Sequence, residues 1–166
     1  MVGRVAENGG KMPQPRRLQI PLLPTGQPER FYLERFMREF GEDRDGTAML
    51  EAPTGHRLAV SKLLFTNHKQ GGLKIAKKGR APYVPYIAEA IKRPDEIRLV
   101  TGDFGDRSLH FLSRYEIARD LIGVLVVFVA RGPVWEGWTG YQMPLKSPAY
   151  FESKRAGLLM WRRPEM

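Results

Sequence analysis

The chain has 166 residues, with 27 Lys and Arg against 18 Asp and Glu, three His and no Cys. That length fits one domain with a short appendage, large enough to fold without staples. The missing cysteine excludes disulfides, thiolate zinc sites and a cysteine nucleophile, and the net charge of +9 favours a polyanionic partner.

Residues 1–28 hold four glycines and five prolines with little apolar periodicity. Pro13, Pro15, Pro21, Pro24 and Pro28 rule out a continuous helix or central strand, so the segment reads as a linker or leader. No apolar h-region follows Met1, so no classical signal peptide is expected. Residues 29–53 read as a helical lead-in. Tyr32, Leu33, Phe36, Met37 and Phe40 fall at helical spacing, and Gly41 sits where a C-terminal cap belongs.

A domain spanning 54–166 follows. Arg57 to Val60 is a short strand after the turn Pro53-Thr54-Gly55, and Ser61 can cap a short helix over Lys62 to Phe65. Residues 68–80 then carry five Lys or Arg and no acid. Pro82 fits a helix start, Tyr83, Ile87 and Ile91 mark one face, and Pro94 closes the helix.

From Glu96 the period changes to two. Glu96 to Thr101, Arg107 to Tyr115, Gly123 to Arg131, Val134 to Gln142 and Leu158 to Arg162 read as strands. A short helix opened by Ser147-Pro148 precedes the last of them. The run Leu121–Ala130 is too short to span a bilayer, so no membrane partner is expected, and Gly123 to Arg131, apolar on both faces, reads as the central strand. The predicted class is α+β: N-terminal helices, then a twisted, mainly antiparallel sheet of about five strands with one late helix. The sheet should floor a cleft, with the Ile87 helix on its opposite face.

No phosphate-binding glycine loop, serine-hydrolase elbow or carboxylate cluster for two-metal catalysis occurs. Asp95 and Glu96 read as strand-end residues, and Asp103 and Asp106 as turn residues. His56, His68 and His110 lack close ligand spacing, so neither a metal nor a cofactor is expected. What remains is cations, hydroxyls and histidines. That inventory suits metal-free cleavage of RNA, in which the 2′-hydroxyl attacks the adjacent phosphorus and cations stabilise the growing oxyanion charge.

His56, before a strand, is a candidate for proton transfer or a polar loop residue. Lys74 lies between Leu73 and Ile75, so its stem can pack and its ammonium be aimed. Thr139 is either a catalytic hydroxyl or an ordinary strand residue, sharing a face with Trp135 and Tyr141. His110 and Arg114, four apart on one strand face, are the second choice for catalysis. His68, Lys69, Lys77, Lys78 and Arg80 can steer a phosphate backbone, while Trp138 and Tyr141 can stack bases or pack the core. Arg155 can serve a reaction or simply favour a helix end.

Five segments carry a resemblance: Ser61-Lys62-Leu63-Leu64-Phe65, Leu73-Lys74-Ile75-Ala76-Lys77-Lys78-Gly79-Arg80, Pro94-Asp95-Glu96-Ile97, Trp138-Thr139-Gly140-Tyr141 and Lys154-Arg155-Ala156-Gly157-Leu158-Leu159. In order and spacing they resemble the phage-type nuclease domain of the barnase, EndoU, colicin E5/D and RelE-like (BECR) class. Such domains end Mu-like phage head-morphogenesis proteins and polymorphic toxins. The resemblance spans 54–162 and implies a metal-independent endoribonuclease of toxin or effector type that leaves a cyclic phosphate. It assigns Lys74, Arg80, Thr139 and Arg155 to matching motif positions, and His56 to a Gly-His step. The chain departs from the pattern at Arg98, where an aromatic residue is expected, and at Tyr141 in place of a Phe-type residue.

The implied partners are RNA, tRNA included, an acidic immunity protein covering the basic cleft, and a phage head or secreted toxin carrier. The implied location is the cytoplasm of a target or host cell, after virion association or delivery by a carrier. The other reading is a non-catalytic basic module of a phage head protein that binds nucleic acid or capsid protein. The two differ on convergence: a nuclease needs His56 or His110 beside Lys74, Thr139 and Arg155, whereas a pure binder does not.

Overall fold

The computed structural model describes residues 10–41, 45–146 and 148–165. Helix α1 (Glu29–Arg38) precedes strands β1 (Ala48–Glu51) and β2 (Arg57–Val60). Three short 3-10 turns, at Lys62–Phe65, Lys77–Gly79 and Ala81–Tyr83, lead into helix α2 (Val84–Lys92). Strands β3 (Glu96–Thr101), β4 (Arg107–Ile117), β5 (Asp120–Arg131) and β6 (Val134–Pro144) follow, then helix α3 (Pro148–Ser153) and strand β7 (Leu158–Arg162). Ser147, expected to open α3, lies outside the described residues, as do residues 1–9 of the leader.

The class is α+β, and the described residues form one mixed sheet of seven strands in the order β1-β2-β6-β5-β4-β3-β7. Every pairing is antiparallel except β2 with β6. The five strands expected after residue 95 are present, with β4 and β5 running two and three residues further into their shared turn. The stretch read as a helical lead-in also contains β1, whose four residues pair with β2 across the Pro53-Thr54-Gly55 turn. Four residues are too few to show a period.

Helix α2 is buried from Val84 to Ile91. Its apolar residues, with Tyr32 and Phe36 of α1, form the main core against Phe111, Val126 and Phe128 of the sheet. Gly140 permits the approach, since a Cβ there would stand 3.1 Å from Ile87 Cγ2. On the other face a smaller cluster of Met12, Leu112, Leu125, Met143 and Phe151 seats α3. Gly123 is required beneath it, because a Cβ would meet Phe151 Cδ1 at 2.6 Å.

The leader is no loose linker over its described residues. Its prolines prevent a regular ladder, but Leu18, Ile20 and Leu23 pack on the core and Met12 is buried. Arg16 makes a parallel bridge to Tyr115 of β4. Its guanidinium meets Asp95 at 3.3 Å and Glu89 at 3.9 Å and lies over the Tyr115 ring. Ile20 accepts from the Tyr86 hydroxyl at 2.7 Å.

Candidate active site

Lys74 is aimed by a tight fold-back. Asn67 Oδ1 accepts from the backbone N–H of Lys69 and Gln70, and the Lys74 N–H donates to the Phe65 carbonyl at 2.6 Å. Gly71 and Gly72 both adopt positive φ to allow this turn, and Ile75 next door is fully buried. The Lys74 backbone is thus fixed beside the buried Ile75, and its side chain is half-buried. Burial lowers the Lys74 pKa, and the charges of Arg80, Lys77 and Lys78 add to that effect.

Four residues after Lys74, Lys78 takes φ 55° and its carbonyl accepts from Gln142 Nε2 at 3.1 Å. This ties the basic segment to β6. Arg80 then turns inward, only 6% exposed, with Nε and Nη1 buried and without a hydrogen-bond partner. Burial lowers its pKa. An enclosed guanidinium with unsatisfied N–H groups is costly unless an anion completes it.

On β6, Thr139 pairs with Val127 and Tyr141 with Leu125. Both therefore face away from α2, onto the side of the smaller cluster. A cavity of about 530 Å³ opens there, lined by Lys74, Lys78, Arg80, Thr139, Tyr141 and Tyr150 among others. It brings together two of the four residues expected to be catalytic, Lys74 and Thr139. Lys78, Arg80 and Tyr141, expected to bind nucleic acid, join them.

Arg155 and His56 stand elsewhere. Arg155 binds both oxygens of the fully buried Glu96, together with Arg98 and Arg162, and also reaches Glu152 and the Gly10 carbonyl. Burial raises the Glu96 carboxyl, but the three guanidiniums outweigh it and hold it below its ordinary value. Arg155 is therefore tied into a buried ion-pair cluster around Glu96, while the neighbouring Asp95 is buried with Arg16 and Arg163, so neither carboxylate is a plain strand-end residue. Arg98, at the position where an aromatic was expected, belongs to the same cluster.

His56 donates to or accepts from Thr54 Oγ1 at 2.6 Å and meets Trp135 edge-on at 5.2 Å. Trp135 belongs to the main core. A bulge between Val127 and Phe128 is the reason: it places both Trp138 and Thr139 opposite Val127 and turns Trp135 to the helical face. Thr139 and Trp135 accordingly do not share a face. Burial and Arg107 lower the His56 pKa.

His110 pairs with the same Val127 from the other side, so it shares the face of Thr139, roughly 10 Å away across two strand spacings. Its Nδ1 is buried without a partner, and burial with Lys154 lowers its pKa. Arg114 is tied to the leader through the Pro13 carbonyl at 2.7 Å, outside the cavity. His68 stacks on Trp138 at 3.6 Å, with Arg131 over the same indole. Lys69 and Lys77 are exposed rim residues.

Sequence reasoning missed Tyr150, whose hydroxyl lies 3.4 Å from that of Tyr141. A tyrosine in a six-residue helix carries no periodic signal; only its charged surroundings in space single it out. Among the described residues no group of three His, Cys, Asp or Glu could hold a metal.

A family model described as phage-Barnase-EndoU-ColicinE5/D-RelE like nuclease2 matches residues 35–162. The match begins inside α1 and takes in the β1–β2 hairpin. No curated protein and no solved structure matches the chain.

Proposed function

Since the chain belongs to the phage-Barnase-EndoU-ColicinE5/D-RelE-like nuclease 2 family, we propose that this nuclease is a metal-independent endoribonuclease whose active site is the Lys74–Arg80–Thr139 cavity. One observation carries the reading: Arg80 is buried with two guanidinium nitrogens unpartnered, on the wall that also bears Lys74 and Thr139. A phosphodiester supplies the missing acceptors. Charge on its non-bridging oxygens grows as the 2′-hydroxyl attacks phosphorus, so fixed cations there bind the transition state better than the ground state. Arg80 grips the phosphoryl oxygens with its planar fork, Lys74 meets the growing charge as a point cation, and Thr139 orients the group by its hydroxyl.

Lys69, Lys77 and Lys78 steer the flanking backbone. The His68–Trp138 stack offers a platform for an unpaired base beside Thr139. The product is a 2′,3′-cyclic phosphate and a free 5′-hydroxyl. Within this reading the protein acts in the cytoplasm of a target or host cell, delivered by a phage head or toxin carrier, and an acidic inhibitor covers the basic cleft in the producing cell. Raising salt then slows association with that inhibitor steeply.

The test is a short labelled RNA and its DNA counterpart, each incubated with the protein in EDTA. Discrete RNA fragments ending in cyclic phosphate, with the DNA intact, are expected. Cleavage of both polymers, or cleavage only on adding a divalent cation, overturns the proposal.

A further inference from the structure

The proposed reaction needs a group to take the proton of the 2′-hydroxyl, and no histidine lines the cavity among the described residues. Two phenols do. The Tyr150 hydroxyl lies 3.4 Å from the Tyr141 hydroxyl. Tyr150 is 52% exposed, open to a polymer, while Tyr141 is half-buried in the wall. The groups facing Tyr150 come from three directions: Tyr141 on β6, Lys78 on the 77–79 turn, and Lys154 just past α3, whose Nζ stands 5.0 Å from the ring centre. Arg80 lies beside Tyr141, and His110 is near Lys154.

These surroundings treat the two phenols oppositely. Burial, and the neighbouring Tyr150 hydroxyl, push Tyr141 above its ordinary range and keep it protonated. The hydrogen bond with Tyr141 draws Tyr150 below its ordinary range; burial opposes this, and Lys154 and Lys78 add to the lowering. Either hydroxyl can donate in this pair, and these surroundings favour Tyr141 as the donor and Tyr150 as the oxygen that carries charge.

Resting on the ribonuclease reading, we infer that Tyr150 is the general base of the reaction and Tyr141 the positioning residue that holds its phenolate. The Tyr150 oxygen takes the 2′-hydroxyl proton as the O2′–P bond forms. The P–O5′ bond breaks with its electron pair on the 5′-oxygen, which takes a proton from water, and Tyr150 returns its own proton to solvent.

The experiment is the pH–rate profile of the full chain on a short RNA in EDTA, with Kd measured on the same sequence bearing 2′-deoxy at the cleavage site. For the unaltered protein the rate should rise with pH and level off below the range of a free phenol. Tyr150→Phe, at an exposed position, should lower kcat by about 10²-fold or more, leave Kd within about twofold and abolish the rise. Lys154→Met should keep the rise but move it to higher pH, which a merely structural role of Lys154 would not do. If Tyr150→Phe keeps both rate and rise, the inference is wrong while the ribonuclease reading stands. If the unaltered protein does not cleave RNA, both fall.

Discussion

Arg155 holds Glu96 by both carboxylate oxygens, Nε to Oε1 at 3.0 Å and Nη2 to Oε2 at 2.6 Å, across 59 positions of sequence. Glu96 is fully enclosed and Arg155 is 9% exposed at its side chain. Removing Arg155 leaves Arg98 and Arg162 on Glu96, so Arg155→Ala should cost about 3 kcal/mol, at the low end for breaking a buried pair. In a chain of this size that lowers Tm by roughly 6–12 °C. Thermal melts check it, and RNA cleavage by the folded fraction should be retained. The Glu96 carboxyl is held below its unfolded value. Its contribution is therefore complete above the ordinary carboxylate range of about 4.3 and is lost as pH falls through the lower folded value. Arg155→Ala should flatten that acid limb of the stability curve.

Arg80 predicts the opposite trade. Its guanidinium is buried with two nitrogens unpartnered, so Arg80→Met should raise stability by about 1–2 kcal/mol and yet abolish cleavage. Melts with and without inorganic phosphate provide the check: phosphate should stabilise the unaltered protein and leave Arg80→Met unmoved. Equal stabilisation of both proteins would place the anion elsewhere.

Ile117 pairs with Asp120, leaving Ala118 and Arg119 as a two-residue turn with φ 49° and 74°. Both values suit Asn-Gly rather than these residues. Replacing the pair by Asn-Gly should stabilise by about 1 kcal/mol, a gain of roughly 2–4 °C in Tm, with cleavage unchanged.

The leader makes a further stability claim. Removing residues 1–24 takes away Arg16 with its contacts to Asp95 and Glu89, and the apolar cover of Leu18, Ile20 and Leu23. The loss should be on the order of 5 kcal/mol, or roughly 10–20 °C in Tm. A truncated protein that melts with the full chain would return this segment to the status of a linker.

These outcomes mark where the sequence is readable. The five late strands, the Ile87 helix and its place opposite the cleft follow from period and punctuation, because a strand with one buried face or a helix with an apolar stripe records its environment locally. Lys74 is readable for a related reason: it lies between the apolar Leu73, half-buried, and Ile75, fully buried. β1 is too short for a period, and the leader buries its apolar residues in an extended, proline-interrupted path that no period describes. The Trp138 bulge reverses the face of Trp135 without any sign in the residues themselves. The ion-pair cluster of Arg155 and the place of Tyr150 are not readable for a different reason. What they do depends on partners 59 and nine positions away, Glu96 and Tyr141, which only the fold brings near.

The paired kinetics of Lys74→Ala and His56→Ala on a short RNA in EDTA, with RNA binding measured beside them, test the placement of the site. A lysine aimed at the reacting phosphoryl meets charge that grows only in the transition state. Lys74→Ala should therefore lose about 10²-fold or more in rate, roughly 3 kcal/mol, with Kd changed by no more than Lys77→Ala changes it. His56→Ala, edge-on to Trp135 on the helical face, should cleave within about threefold of the unaltered protein. Loss of cleavage in His56→Ala, with Lys74→Ala still cleaving at the unaltered rate, would contradict the placement of the site.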